Sequence, residues 1–191
     1  MESFLDVESL LLKIKEFRSL GFDEIRIPGG SSLGEEHYSG VFIFACDHTK
    51  KQLFFLGVPY NSSFYKNGNN SNHTKKAGEL PTETARRELF EETGLLVEEG
   101  DLNLVFSYSI PDRHDKMKMH HKNFYLTNKF LGTLSDFDTR PNPIDNETGS
   151  PLWIPASLFK GLLYKGHQQA FQSVCDSLKL ESADFYYALC F

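Results

Sequence analysis

Five glutamates fall within fourteen residues of the stretch GELPTETARRELFEETGL, Gly78 to Leu95: Glu79, Glu83, Glu88, Glu91 and Glu92. On a helix, Glu88, Glu91 and Glu92 stand at i, i+3 and i+4, so their carboxylates share an arc of about 100°. Like charges at those spacings repel on a bare helix. A divalent cation reverses the sign of that interaction, and hard oxygen ligands are what Mg²⁺ or Mn²⁺ takes. A merely solvated acidic face is the other use of such a helix. Pro81 fits its first position, and Glu83 can reach back to the cap N–H.

The wider pattern is more specific than the acidic pairs. Glu79, seven residues, Arg87-Glu88-Leu89, one residue, Glu91-Glu92, one residue, Gly94-Leu95 resembles the signature of the Nudix hydrolases (MutT-like). It departs from that signature at His73, where the family opens on glycine, and at Leu80, where the family often has a Ser or Thr cap. A glycine at the first of these positions permits positive φ or close backbone approach.

The resemblance implies an α/β chain, an α/β/α sandwich with a mixed β-sheet. It implies hydrolysis of a nucleoside diphosphate linked to another moiety, with water attacking phosphorus. Mg²⁺ (or Mn²⁺) held by Glu88, Glu91, Glu92 and the carbonyl of Gly78 neutralises the diphosphate, orients the leaving oxygen and acidifies water. Arg87 holds the glutamates and the preceding loop by charge-assisted hydrogen bonds, with Glu79 in the same network. The general base stays open: Glu88 is the first candidate, and Glu147 and Asp145 in the acidic loop before Trp153 are the second. Pro111, 16 residues after Leu95, points weakly to ADP-ribose or a nucleotide sugar. The alternative is a non-catalytic domain of this fold that binds a nucleotide metabolite; relatives of that kind usually lose motif glutamates, and here all are present. An RNA-cap hydrolase lacks an obvious basic path in this chain.

The elements around the helix follow from apolar patterning. Residues 6–20 read as an amphipathic helix capped by Asp6 and stopped at Gly21, packed on the domain or on a second subunit. This gives an N-terminal helical extension, 1–21, and a hydrolase domain, 22–191. Ile25–Ile27 reads as a short strand ended by Pro28-Gly29-Gly30. Tyr38–Cys46 and Gln52–Val58 read as a hairpin, and their continuous apolar runs predict burial on both faces. The stretch 61–72 has loop composition and suits a lid or a surface insertion. Strands follow at 102–110, 121–131 and 152–155, and helices at 156–163 and 167–180.

The segment 111–120 reads as a polar loop. Arg113, Lys116, Lys118 and Lys122 in or beside it are candidates for gripping phosphate, Arg113 and Lys116 foremost. His114, His120 and His121 lack a fourth ligand at zinc spacing. Phe64, Tyr65 and Tyr108 could stack on a base, although core packing is the commoner use of an aromatic.

A length of 191 residues with 40% hydrophobic and 14% aromatic content suits one packed domain. The net charge of −6 disfavours binding along nucleic-acid phosphates. Cys46, Cys175 and Cys190 are odd in number and far apart, so neither a disulfide framework nor a zinc cluster is expected, and a reducing, cytoplasmic location is. No apolar run is long enough for a membrane span. A homodimer is compatible with the first helix and the apolar tail.

Overall fold

The apolar runs at 41–44 and 53–58 build a sheet that is covered on both faces. The computed structural model describes residues 4–66 and 75–177. Seven strands are present among them: β1 (Glu24–Arg26), β2 (Gly29–Ser31), β3 (His37–Asp47), β4 (Gln52–Tyr60), β5 (Asn103–Pro111), β6 (Met119–Thr127) and β7 (Leu152–Pro155). The main order is β1-β4-β3-β6-β5, with β2 beside β3 and β7 beside β4. β3 and β6 run parallel and the other pairs antiparallel, so the sheet is mixed.

Alternate residues of a strand face opposite sides, and the two halves of the core follow that rule. Phe42, Phe44, Leu53 and Phe55 face a cluster with Leu10, Ile14 and Phe17 of α1 (Val7–Ser19). Phe159 of α4 (Ala156–Leu162) and Phe171 and Val174 of α5 (Lys165–Ser177) complete that side. Val41, Ile43, Phe54 and Leu56 face the other cluster, with Ala85 and Leu89 of the acidic helix and Trp153 of β7. The result is the expected α/β/α sandwich. No helix among the described residues is long and apolar enough to cross a membrane.

One irregularity matters for function. β4 pairs with the second half of β3, from Phe44↔Phe55 to Asp47↔Gln52. Along the first half of β3 its place is taken by β2, from Ser31↔Tyr38 to Gly29↔Gly40. The sheet therefore splits between β2 and β4, and a cavity lined by Gly29, Gly30, Tyr38, Val58 and Tyr60 occupies the split.

Several expectations need correction. The stretch 61–72, read as loop, begins with a helical turn, α2 (Ser62–Lys66); Tyr65 belongs to it, and 67–72 lie outside the described residues, as does His73. The loop expected at 111–120 is present as residues 112–118 and is shortened only at its ends, because β5 runs to Pro111 and β6 starts at Met119; within it the Asp112 and Asp115 side chains accept backbone N–H groups. β6 ends at Thr127 because Thr127 Oγ1 accepts the Lys129 N–H and turns the chain. The last helix, read as 167–180, begins at Lys165, so His167 lies inside its first turn, buried. Cys46 is disulfide-bonded, contrary to the expectation of no paired cysteine, whereas Cys175 is buried and free.

Phe55 carries the larger core: it is fully buried and packs on Phe44, Phe159 and Phe171. Phe55→Ala is expected to cost about 3–5 kcal/mol of unfolding free energy, read as a lower urea midpoint at unchanged slope.

Candidate active site

The acidic helix, α3 (Pro81–Thr93), is built as its sequence dictates. Pro81 opens it, and Glu83 Oε2 accepts the Leu80 N–H at 2.7 Å, replacing the cap that a leucine side chain lacks. Gly94 ends it with φ of 77°, a left-handed conformation that glycine adopts without strain. Ala85 and Leu89 bury against the sheet, and the glutamates face away from them toward β2.

Arg87 sits among those glutamates. Its Nε and Nη2 donate to Glu79 Oε1 and Oε2 at 2.8 and 3.0 Å. Its Nη1 donates to Glu88 Oε1 at 2.7 Å and to Glu91 Oε2 at 3.4 Å. Burial works against the charge on Glu79, but the bonds from Arg87 and Thr84 outweigh it and hold the carboxyl below its ordinary value. A carboxylate only accepts, so the Thr84 hydroxyl donates to Glu79 at 2.8 Å. Thr84 in turn accepts from His37 Nε2 at 2.8 Å. The loop before the helix is thus tied to β3.

Glu92 lies beyond this network. It is 7% exposed, and its Oε2 accepts the Gly29 N–H of β2 at 3.0 Å. Gly30 passes so close to Glu88 that a Cβ there would stand 2.4 Å from the carboxyl carbon. These two glycines let backbone approach the acids where any side chain would collide.

Glu88, Glu91 and Glu92 open on the cavity in the sheet split, about 710 Å³ in volume, within the range of small-molecule sites. Asp145 and Glu147 line the same cavity. Burial pushes the Glu88 carboxyl up to about 7 against the pull of Arg87. Burial, with Glu88 and Asp145 nearby, pushes Glu92 well up, and burial raises Asp145 and Glu147 too. Asp145 is spent on its own turn, accepting from the Glu147 and Thr148 N–H groups and the Thr148 hydroxyl. Among the described residues, Glu147 accepts only from the Tyr60 hydroxyl, at 3.3 Å.

Hard carboxylate oxygens crowded into a buried wall fit Mg²⁺ or Mn²⁺ by donor type. Among the described residues no three Asp, Glu, His or Cys side chains form a ready cation cage.

The cavity lining is also aromatic and cationic. Arg26 lies between the Tyr60 and Tyr164 rings, 3.8 and 4.3 Å from their centroids, and donates Nε and Nη2 to Glu24. Tyr108, half-exposed, stacks on buried Phe124, and Lys122 lies over Tyr38. Tyr38 Oη is 3.1 Å from Nε2 of buried His167, whose Nδ1 accepts the Ile27 N–H. Burial, with Arg26 and Lys122 near, pushes the His167 imidazole down to about 3, so it is neutral.

The candidates from sequence divide accordingly. Glu88, Glu91, Glu92, Glu147, Asp145, Arg113, Lys122 and Tyr108 line the cavity. Arg87 and Glu79 brace it from behind, and Gly78 stands at the helix approach with φ of 73°. Lys116, Lys118 and His114 are exposed in the hairpin turn and do not line it. His121 meets Ser109, and His120 bridges Asp112 and the Glu35 carbonyl. Sequence reasoning missed Gly29, Gly30, Arg26, Tyr38, His37, Thr84 and His167. Of these only the Gly-Gly pair carried a signal, read as a strand end.

The NUDIX domain model matches residues 75–174, just over half of the chain. Solved structures resemble it at low identity. The MutT mutator protein of Bacillus halodurans is 20% identical, with 70% of this chain and 79% of that one covered and a TM-score of 0.42. The NUDIX domain of Shewanella oneidensis NrtR, solved with ADP ribose, is 14% identical over 72% and 84%, with a TM-score of 0.48. A Caenorhabditis elegans Ap4A hydrolase is 14% identical over 75% and 97%, with a TM-score of 0.46. No curated protein matches the chain.

Two outcomes follow from the bracing. Arg87→Ala leaves Glu79, whose side chain is 4% exposed, without its cation, and is expected to cost about 3–5 kcal/mol in chemical unfolding. His167 binds its proton more readily unfolded, near 6.5, than folded, at about 3. Its contribution to stability is complete above pH 6.5 and is lost as pH falls toward 3. The stability gap between wild type and His167→Gln should therefore shrink between pH 7 and pH 4.5 in parallel denaturation series.

Proposed function

The chain belongs to the Nudix hydrolase family, and we propose that it cleaves the pyrophosphate bond of a nucleoside diphosphate linked to another moiety, with ADP-ribose or a nucleotide sugar the favoured class. The observation that carries this reading is the convergence of Glu88, Glu91 and Glu92 with Glu147 on one cavity that aromatic and cationic side chains also line. A diphosphate needs charge neutralisation, and its nucleoside or sugar needs flat and hydrogen-bonding surface. Both are within one volume here.

Glu88, Glu91, Glu92 and the Gly78 carbonyl would hold Mg²⁺ or Mn²⁺, which supplies charge neutralisation at the diphosphate and lowers the pKa of the attacking water. Water adds to one phosphorus, the bridging P–O bond breaks, and two phosphate-ended products leave. Glu88 receives the proton that water gives up, fixed in place by Arg87 on one side and Gly30 on the other. Glu147 is the second candidate base; its carboxylate, unlike that of Asp145, is not consumed by its own turn. Arg87 and Glu79 orient the acids and do not touch substrate. Arg113 and Lys122, which line the cavity, would bind a phosphate; Lys116, exposed in the turn, does not line it.

The test is a panel of nucleoside-diphosphate sugars, ADP-ribose, dinucleoside polyphosphates, nucleoside triphosphates and capped RNA, with Mg²⁺ or Mn²⁺ and product masses read directly. At least one diphosphate-linked compound should be cleaved. Glu91→Gln and Glu92→Gln should each lower turnover by about 10²-fold or more while the circular dichroism spectrum is kept. Retained activity in both variants contradicts the mechanism, and inertness of wild type across the panel favours a binding domain. Unchanged turnover in Glu147→Gln removes that residue as the base.

A further inference from the structure

We propose that Tyr38 turns its hydroxyl proton into the cavity as a donor to an oxygen of the bound substrate, its own oxygen being held by the Nε2–H of His167. The direction of the hydrogen-bond chain fixes this. The Ile27 N–H can only donate, and it points at His167 Nδ1 at 3.3 Å, so Nδ1 carries its lone pair. The one proton of a neutral imidazole is then on Nε2. Nε2 stands 3.1 Å from Tyr38 Oη, which makes the tyrosine oxygen the acceptor. The opposite tautomer would set Nδ1–H against the Ile27 N–H in a buried place, leaving both donors unpaired.

Tyr38 is therefore left with a proton and, among the described residues, no acceptor for it. Its oxygen lies against Gly29 and Gly40, where an added Cβ would stand 2.8 and 3.0 Å from it. Gly29 is the residue whose N–H holds Glu92, so the hydroxyl stands beside the acidic wall, and Tyr38 and His167 both line the cavity. A neutral donor fixed in advance of binding complements a phosphoryl oxygen there without adding charge. His167 acts through Tyr38 and is a positioning residue.

The inference rests on the proposed hydrolysis for the identity of the acceptor but not for the direction of the proton, and two measurements separate them. Ring nitrogen shifts of His167, read by ¹⁵N–¹H correlation in the intact wild-type chain, should show Nε2 protonated and Nδ1 bare at pH 7. A proton on Nδ1 overturns the proposal. On the panel compound that wild type cleaves fastest, Tyr38→Phe should lower kcat/KM by about 10- to 100-fold, the effect of one hydrogen bond to a charged oxygen, with the circular dichroism spectrum and the His167 tautomer kept and the melting temperature lowered by the loss of the Nε2–H acceptor. Wild-type kcat/KM in a folded Tyr38→Phe overturns it. If wild type cleaves nothing, the hydrolase reading fails and the substrate role of Tyr38 falls with it, whereas a bare Nδ1 would still uphold the direction of its proton.

Discussion

One guanidinium makes this acidic site possible. Arg87 spends Nε and both terminal nitrogens on Glu79, Glu88 and Glu91, so three carboxylates that would repel one another are held at fixed separations by a shared cation. A lysine, with a single point charge, could not span them in this way. Arg87 does not reach Glu92, and there the fold supplies a backbone N–H from β2 in its place. That donor exists only because β2 displaces β4 along the first half of β3, which is also what opens the cavity. Charge and topology are thus solved together.

The cavity lining carries two chemistries. Carboxylates raised by burial are complementary to cations. Arg26 against two tyrosine rings, Lys122, Arg113, Tyr108 and Phe124 are complementary to anions and flat rings. An anionic ligand satisfies both only if cations come with it.

Much of this was legible in the sequence for physical reasons. The helix spacing of Glu88, Glu91 and Glu92 is a local property, and so is the capping by Glu83 and Gly94; both appear in the structure as the chain spells them. The continuous apolar runs of β3 and β4 likewise announce a sheet covered twice. What could not be read is long-range. Gly29 and Glu92 are 63 residues apart, Tyr38 and His167 129 apart, and nothing local marks either pair. His167 looks like any polar residue near a helix start, yet its meaning comes from the Ile27 N–H it meets across the sheet edge. The polar segment 111–120 was legible as a loop because aspartates such as Asp112 and Asp115 take up turn N–H groups, whereas the strand pairing at its two ends is a long-range property.

Under the proposed mechanism, Glu88, Glu91 and Glu92 together take a divalent cation. Titration of Mn²⁺ into the intact chain, followed by the loss of the free-ion paramagnetic resonance signal, addresses it without any assumption about substrate. Saturable binding that weakens by about 10-fold or more in Glu92→Gln is the predicted result. Absence of binding in wild type, or binding of equal strength in the variant, would contradict it.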